Sequence, residues 1–294
     1  MTSTAAIDTL RQPLPAEIIR RTRTSLAEIY AAARQAEFVV GAFLNLPQVQ
    51  AAIERNLRAR PSGPATQPAA GAAALDELLS LPRERQHALL ASVQPRRQKV
   101  TLKRIAAAAA ACAGTAPERA QQLADFILRS VRCDRLPPQA PVLRRQLAGR
   151  ALLARAHALM TLRAHAAALP VIAEAHAAFP HTIAYERYRI HAQLLRGQAL
   201  AAAGDDIAAL QTLAVCARRA IQHLDPPAVV DALASIAVVL CAHAEYETAR
   251  PAIALAAHIG QQPGNECTLS ALHAGLAECS FLGYTAQHAP PALP

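Results

Sequence analysis

The stretch RGQALAAAGDDIAAL, residues 196–210, has the pattern of two helices joined by a tight turn. Alanine and leucine favour helix on both sides of Gly204, and glycine suits the tight turn between two helices. Asp205 and Asp206 follow the glycine, where carboxylates satisfy free backbone N–H groups at a helix start. The stretch therefore predicts a helical hairpin that turns at Gly204, with a structural role for its acidic pair.

Two other stretches align with the one that begins at Gly204: RAHAAALPVIAEA from Arg163 and AEYETARPAIALA from Ala244. Their offsets are 41 and 40 residues, and a fixed spacing of this kind indicates a repeated structural unit. Two antiparallel helices approach closely only where the facing side chains are small, and small residues recur at equivalent positions. We therefore predict three helical hairpins. The shared small positions are Ala156, Gly197 and Ala237, then Ala168, Ala209 and Ala249, and finally Ala175, Cys216 and Ala256.

This pattern resembles the tetratricopeptide repeat (TPR). That family has a small residue in the first helix, glycine at the turn, alanine early in the second helix and another small residue near its end, often with proline at the exit. The period of about 40 residues is longer than the family's usual value of about 34, and Leu, Arg or Ala fill its large aromatic positions. Helices longer by one turn account for the period, as in the longer repeats of some bacterial regulators. The matching residues are Gly197, Gly204, Ala209 and Cys216, with exits at Pro180, Pro226, Pro227 and Pro263.

The composition favours an all-α protein. Tryptophan is absent and the chain has five Phe and five Tyr, so the core must be built from Ala, Leu, Ile and Val. Alanine is the best helix former and is depleted in strands. With the resemblance, the expected architecture is an N-terminal helical module followed by a short TPR-like α-solenoid of helical hairpins.

Composition shifts divide the chain into five predicted segments. An N-terminal helical segment covers residues 1–60, and the uncharged run PSGPATQPAAG predicts a flexible linker at 61–72. A basic helical segment covers 73–136 and ends at a proline-rich stretch. TPR-like repeats cover 142–284, as hairpins at about 142–181, 182–226 and 227–263 and a capping helix at 266–284. A tail of residues 285–294 follows.

The resemblance implies a non-catalytic scaffold or adaptor that binds another protein. By this resemblance the first helix of each hairpin faces the concave side of the array. That surface is mostly apolar, which suits an amphipathic helix or an extended apolar peptide. The residues expected to contact the partner are Arg150, His157, His191, Leu194, Gln198, Val238 and Cys241.

A basic run, PRRQKVTLKR at residues 95–104, raises an alternative function. Residues 1–140 hold 19 basic and 11 acidic side chains, whereas the rest of the chain holds 11 and 10. The alternative is a transcriptional regulator in which residues 73–135 contact nucleic acid and the TPR-like repeats act as a sensor. The contacts would come from Arg96, Arg97, Lys99, Lys103 and Arg104.

The sequence gives no sign of an enzyme. It lacks GxSxG, GxxxxGK[ST] and GxGxxG motifs, and the 11 histidines and six cysteines contain no HExxH, HxH or CxxC pattern. We therefore expect no metal and no cofactor. No uncharged apolar run is long enough to span a bilayer, and no secretory leader is recognisable, so a cytoplasmic protein is expected.

Overall fold

The computed structural model describes residues 12–44, 77–132 and 141–260, and all the regular secondary structure in these residues is helical. The all-α prediction is confirmed. Consecutive helices pack against each other, as in a helical repeat. The helices are α1 (Ala16–Leu44), α2 (Arg83–Ser92), α3 (Pro95–Cys112), α4 (Pro117–Arg132), α5 (Pro141–Thr161), α6 (His165–Ala178), α7 (Ile183–Ala202), α8 (Asp206–Gln222), α9 (Pro226–Ala242) and α10 (Tyr246–Gly260).

Several predicted segments lie wholly or partly outside the described residues. The linker at 61–72, the capping helix at 266–284 and the tail at 285–294 are among them, as is the exit Pro263. The N-terminal segment is described only over 12–44, and the basic segment over 77–132.

The chain divides into two compact units. Unit 1 combines Met1–Glu37 with Arg189–Pro294, and unit 2 is Phe38–Tyr188. Helices α3 to α6 therefore belong to unit 2, and α8 to α10 belong to unit 1. The predicted repeat segment 142–284 is shared between the two units, and the two divisions of the chain fall within α1 and α7.

The small positions of the predicted repeat lie where helices approach each other. Ala168, Ala209 and Ala249 all have no solvent exposure. A Cβ atom placed on Gly197 in α7 would lie 2.6 Å from Cδ2 of Leu213 in α8. Gly197 therefore permits the close approach of these two helices, as the sequence predicted.

The same turn ends four helices, α5, α7, α8 and α9. Arg163, Gly204, Leu224 and Ala244 have positive φ angles of 59°, 87°, 50° and 60°. In each turn the N–H of the next residue donates to a carbonyl five residues back, at 2.9 Å: Ala164 to Leu159, Asp205 to Leu200, Asp225 to Ala220 and Glu245 to Leu240. This is the Schellman arrangement. The turns are 41, 20 and 20 residues apart along the chain, which agrees with the 40-residue period of a two-helix unit.

Glycine, the residue that a left-handed conformation favours, occupies the positive-φ position in only one of these four turns, at Gly204. A side chain in this region costs about 1–2 kcal/mol, because its Cβ crowds the following carbonyl. We expect Ala244→Gly to raise the free energy of unfolding by about 0.5–1 kcal/mol and Gly204→Ala to lower it by about 1 kcal/mol, as measured by urea denaturation. Ala203→Gly is the control, because Ala203 directly precedes Gly204 in its turn but does not have a positive φ. A loss of stability in Ala244→Gly would contradict this explanation.

An aromatic group organises part of unit 2. The Phe179 ring lies directly over Gly149 of α5, where an added Cβ would be 2.6 Å from the ring. The ring stacks on Tyr188 at a centroid distance of 5.1 Å and on Tyr185 at 6.4 Å. The guanidinium of Arg150 lies over the ring of Tyr188, 5.8 Å from its centroid. Phe179 is only 1% exposed, so this group fixes the end of α6 against α5.

Helix α1 forms part of the core of unit 1. Leu26, Ile29 and Ala33 are spaced three and four residues apart, so they lie on one face of the helix. All three are buried in a single apolar cluster with residues of α8, α9 and α10. Residues 14–36 thus pack with the last hairpins in a single core.

Candidate functional site

Helices α7 and α9 present a surface that holds three of the residues predicted to bind a partner. His191 is exposed, Gln198 is half-buried, and Val238 is 51% exposed although most of α9 is buried. The Gln198 side-chain amide donates to the Ser235 hydroxyl at 3.2 Å, which joins the two helices. We call these residues, with Asp231 of α9, the α7/α9 surface.

Leu194 and Cys241, also predicted to contact the partner, lie in the core of unit 1. They are 5% and 4% exposed, and both belong to the apolar cluster of that unit. Leu194 and Cys241 lie within one helical turn of the exposed residues His191 and Val238. Helical periodicity alone does not distinguish positions this close. Both side chains therefore stabilise the hairpins that carry the α7/α9 surface.

Arg150 and His157 lie on α5 in unit 2, and both are half-buried. The Arg150 guanidinium faces the Tyr188 ring, a cation–π contact that orients the side chain. Burial lowers the pKa of His157, because desolvation disfavours the charged imidazolium. His157 is thus favoured in its neutral form near pH 7.

Asp231 is the acidic group of the α7/α9 surface. Its backbone carbonyl accepts a hydrogen bond of 2.7 Å from the Ser235 hydroxyl, so it shares one polar network with Gln198. Burial and, to a smaller extent, the negative charge of Asp225 together raise the pKa of the Asp231 carboxyl to about 6. A carboxylate at this position is costly without a cationic group nearby.

The raised pKa of Asp231 predicts a pH-dependent stability. The pKa of the Asp231 carboxyl rises from its ordinary value of 3.8 in the unfolded chain to about 6 in the folded chain, so stability is lost as the pH rises through this interval. We expect Asp231→Asn to raise the free energy of unfolding by on the order of 2 kcal/mol at pH 7.5. At pH 4 the gain should almost disappear. Urea denaturation at both pH values tests this, and an equal gain at the two would contradict it.

The basic run lies within α3, a single uninterrupted helix. Arg97, Lys99 and Arg104 are exposed and Lys103 is half-buried, whereas the structure describes no side chain for Arg96. At 100° per residue, Arg97 and Arg104 lie on one side of the buried stripe of Leu102 and Ile105, and the two lysines lie on the other. The positive charges therefore do not form one continuous face.

Asp205 and Asp206, the acidic pair of residues 196–210, have different roles. Asp205 is the N-cap of α8, since its carboxylate accepts a hydrogen bond of 3.2 Å from the N–H of Ala208. Asp206 is buried and contacts the imidazole of His243 at 2.9 Å. The other ring nitrogen of His243 lies 2.6 Å from the carbonyl of Gln12. The role at the helix start follows from the sequence pattern, whereas the link from Asp206 through His243 to Gln12 does not.

Within residues 12–44, 77–132 and 141–260, no cluster of three or more His, Cys, Asp or Glu side chains could hold a metal ion. None of the helices in this part of the chain is both long and apolar enough to cross a membrane. Comparison with known proteins finds no matching family model, and no curated protein or solved structure matches the chain.

Proposed function

We propose that this chain is a non-catalytic scaffold or adaptor that binds a partner peptide or helix through TPR-like hairpins. The observation that carries the proposal is the α7/α9 surface, where an exposed valine lies beside hydrogen-bonding side chains from two adjacent helices. An apolar contact surrounded by oriented polar groups is typical of peptide-recognition surfaces.

The chemistry of this surface favours a partner that carries a basic residue. Asp231 is largely desolvated and lies close enough to Asp225 for their charges to repel. A Lys or Arg side chain placed by the partner would offset this repulsion, and an adjacent aliphatic side chain would cover Val238. The proposed ligand is therefore a basic, amphipathic segment of another protein.

Val238→Arg tests the proposal. The full chain is used to capture proteins from its native host, and the substitution is expected to remove the specific partner, because it places a charged side chain at the apolar contact. Val100→Arg is the matched control, since Val100 on α3 is 49% exposed, almost the same as Val238. Retention of every captured protein by Val238→Arg would contradict the proposed surface.

A second candidate function is a transcriptional regulator that contacts nucleic acid through residues 73–135. The exposure of Arg97, Lys99 and Arg104 on α3 favours it. Binding through phosphate contacts would weaken steeply with salt, with a slope of about −0.9 for each phosphate neutralised. Titration of the full chain with duplex DNA at several salt concentrations tests this. An undetectable or salt-independent affinity would remove this candidate.

A further inference from the structure

Helix α1 rests on the second helices of the last two hairpins. The Arg218 guanidinium of α8 contacts the Glu28 carboxylate at 2.7 Å, and Nε of Arg23 donates to the Thr248 hydroxyl of α10 at 2.9 Å. Two contacts, five residues apart on α1 and on two different helices, fix its direction and register. This face is separate from the α7/α9 surface, which lies on the first helices.

The buried side of α1 has the pattern of a helix held in a groove. Leu26, Ile29 and Ala33 enter the core, and Glu28 lies at the edge of the contact. Aliphatic anchors three and four residues apart, bordered by charge, are how amphipathic helices bind grooves in other proteins. Helix α1 is thus bound as a ligand would be, although it belongs to the same chain.

The fit of α1 is incomplete. A cavity of about 330 Å³ lies between α1 and α10. It is bordered by Leu26, Ala27 and Tyr30 of α1 and by Pro251 and Leu255 of α10. Ala27 and Tyr30 are exposed, so this space is a surface groove open to solvent, and the short side chain of Ala27 leaves part of it unfilled. A helix with a larger aliphatic side chain at this position would fill the space.

The polar contacts of α1 contribute more to the specificity of helix binding than to its affinity. The side chains of Arg218 and Glu28 are 39% and 54% exposed, and exposed ion pairs contribute little to stability. Their complementary charge does determine which helix fits and in which direction. A helix with a basic residue at the position of Glu28 would be repelled by the positive charge of Arg218.

We propose that the α8/α10 face is a helix-binding site, that α1 is its resident occupant, and that a partner helix of the same pattern displaces α1. At the positions equivalent to Leu26 and Ile29 the partner helix has aliphatic residues. It has an aliphatic residue larger than alanine at the position of Ala27 and an acidic residue at the position of Glu28. This goes beyond the proposed function, which concerns the first helices. Since α1 is tethered, it competes at an effective concentration of about millimolar order, so displacement needs the better fit.

A labelled peptide of residues 12–36 carrying Ala27→Leu is the probe, titrated into the full chain by fluorescence anisotropy. We expect it to bind wild type about tenfold more tightly than the unsubstituted peptide. In a chain carrying Glu28→Arg, resident α1 is repelled by Arg218, and the peptide should bind about five- to tenfold more tightly than in wild type. Glu17→Arg is the matched control, because Glu17 pairs only with Arg20 and Arg21 of α1 among the contacts observed for it.

Charge reversal tests the location of the site. Arg218→Glu repels resident α1 and the peptide alike, so the affinity of the peptide is expected to stay nearly unchanged, whereas a peptide that also carries Glu28→Arg should bind this chain at least fivefold more tightly than the peptide that keeps Glu28. Val238→Arg should leave the peptide's affinity unchanged, which separates this site from the proposed partner surface. No binding to any chain, equal affinity for the Glu28→Arg and Glu17→Arg chains, or no gain for the charge-reversed peptide on the Arg218→Glu chain would each overturn the proposal.

Discussion

Gly197→Val is expected to lower the free energy of unfolding of unit 1 by about 3 kcal/mol or more. The new Cβ would lie 2.6 Å from both Cγ and Cδ2 of Leu213, closer than carbon atoms approach without displacement. Leu213 has no solvent exposure, so it has no open space into which to move. Urea denaturation followed by circular dichroism measures the loss.

Gly114→Val is the control for this experiment, because nothing lies within 4 Å of a Cβ at Gly114. Its effect should stay below about 0.5 kcal/mol. Adding Leu213→Ala to Gly197→Val should restore part of the lost stability, since the smaller side chain makes room for the valine. Purely additive losses in the double variant would show that the contact between α7 and α8 does not cause the effect.

Phe179→Ala is expected to destabilise unit 2 by about 3–5 kcal/mol. The substitution removes a ring that is 1% exposed and deletes its stacking on Tyr185 and Tyr188. It also leaves a void over Gly149, where the ring now fills the space that a side chain would occupy.

Thermal and urea unfolding measure this effect, with Ile183→Ala as control because Ile183 is 85% exposed. Phe179→Leu should lose less than Phe179→Ala, because leucine refills part of the void. If the alanine variant lost no more than the Ile183→Ala control, the aromatic group could not be what holds α6 to α5.

The hairpins could be predicted from sequence because their constraints are local. Gly204 at a turn and small residues such as Gly197 and Ala209 recur at fixed offsets, and each constraint acts within one hairpin. The turn at Leu224 gave no such signal, since leucine is not a residue that favours positive φ. Hydrogen bonding in the turn, and packing of the helices on either side, hold it in that conformation.

The docking of α1 could not be predicted in the same way. The spacing of Leu26, Ile29 and Ala33 identifies a face that must be buried, but it does not identify what covers it. The contact from Glu28 to Arg218 spans 190 residues, and no period or motif in the chain relates the two. Leu194 and Cys241 show a further limit, because a shift of one position on a helix moves a residue from surface to core.

The separation of Glu28 from Arg218 has a consequence for synthesis on the ribosome. Residues 16–37 emerge well before the face of α8 that receives them, because Glu28 and Arg218 are 190 residues apart. At about 5–20 residues per second, the delay is on the order of 10–40 s. During that time the nascent helix has no core to join, and its aliphatic side is open to a chaperone. Closure of so long a loop makes the docking of α1 a late event in folding.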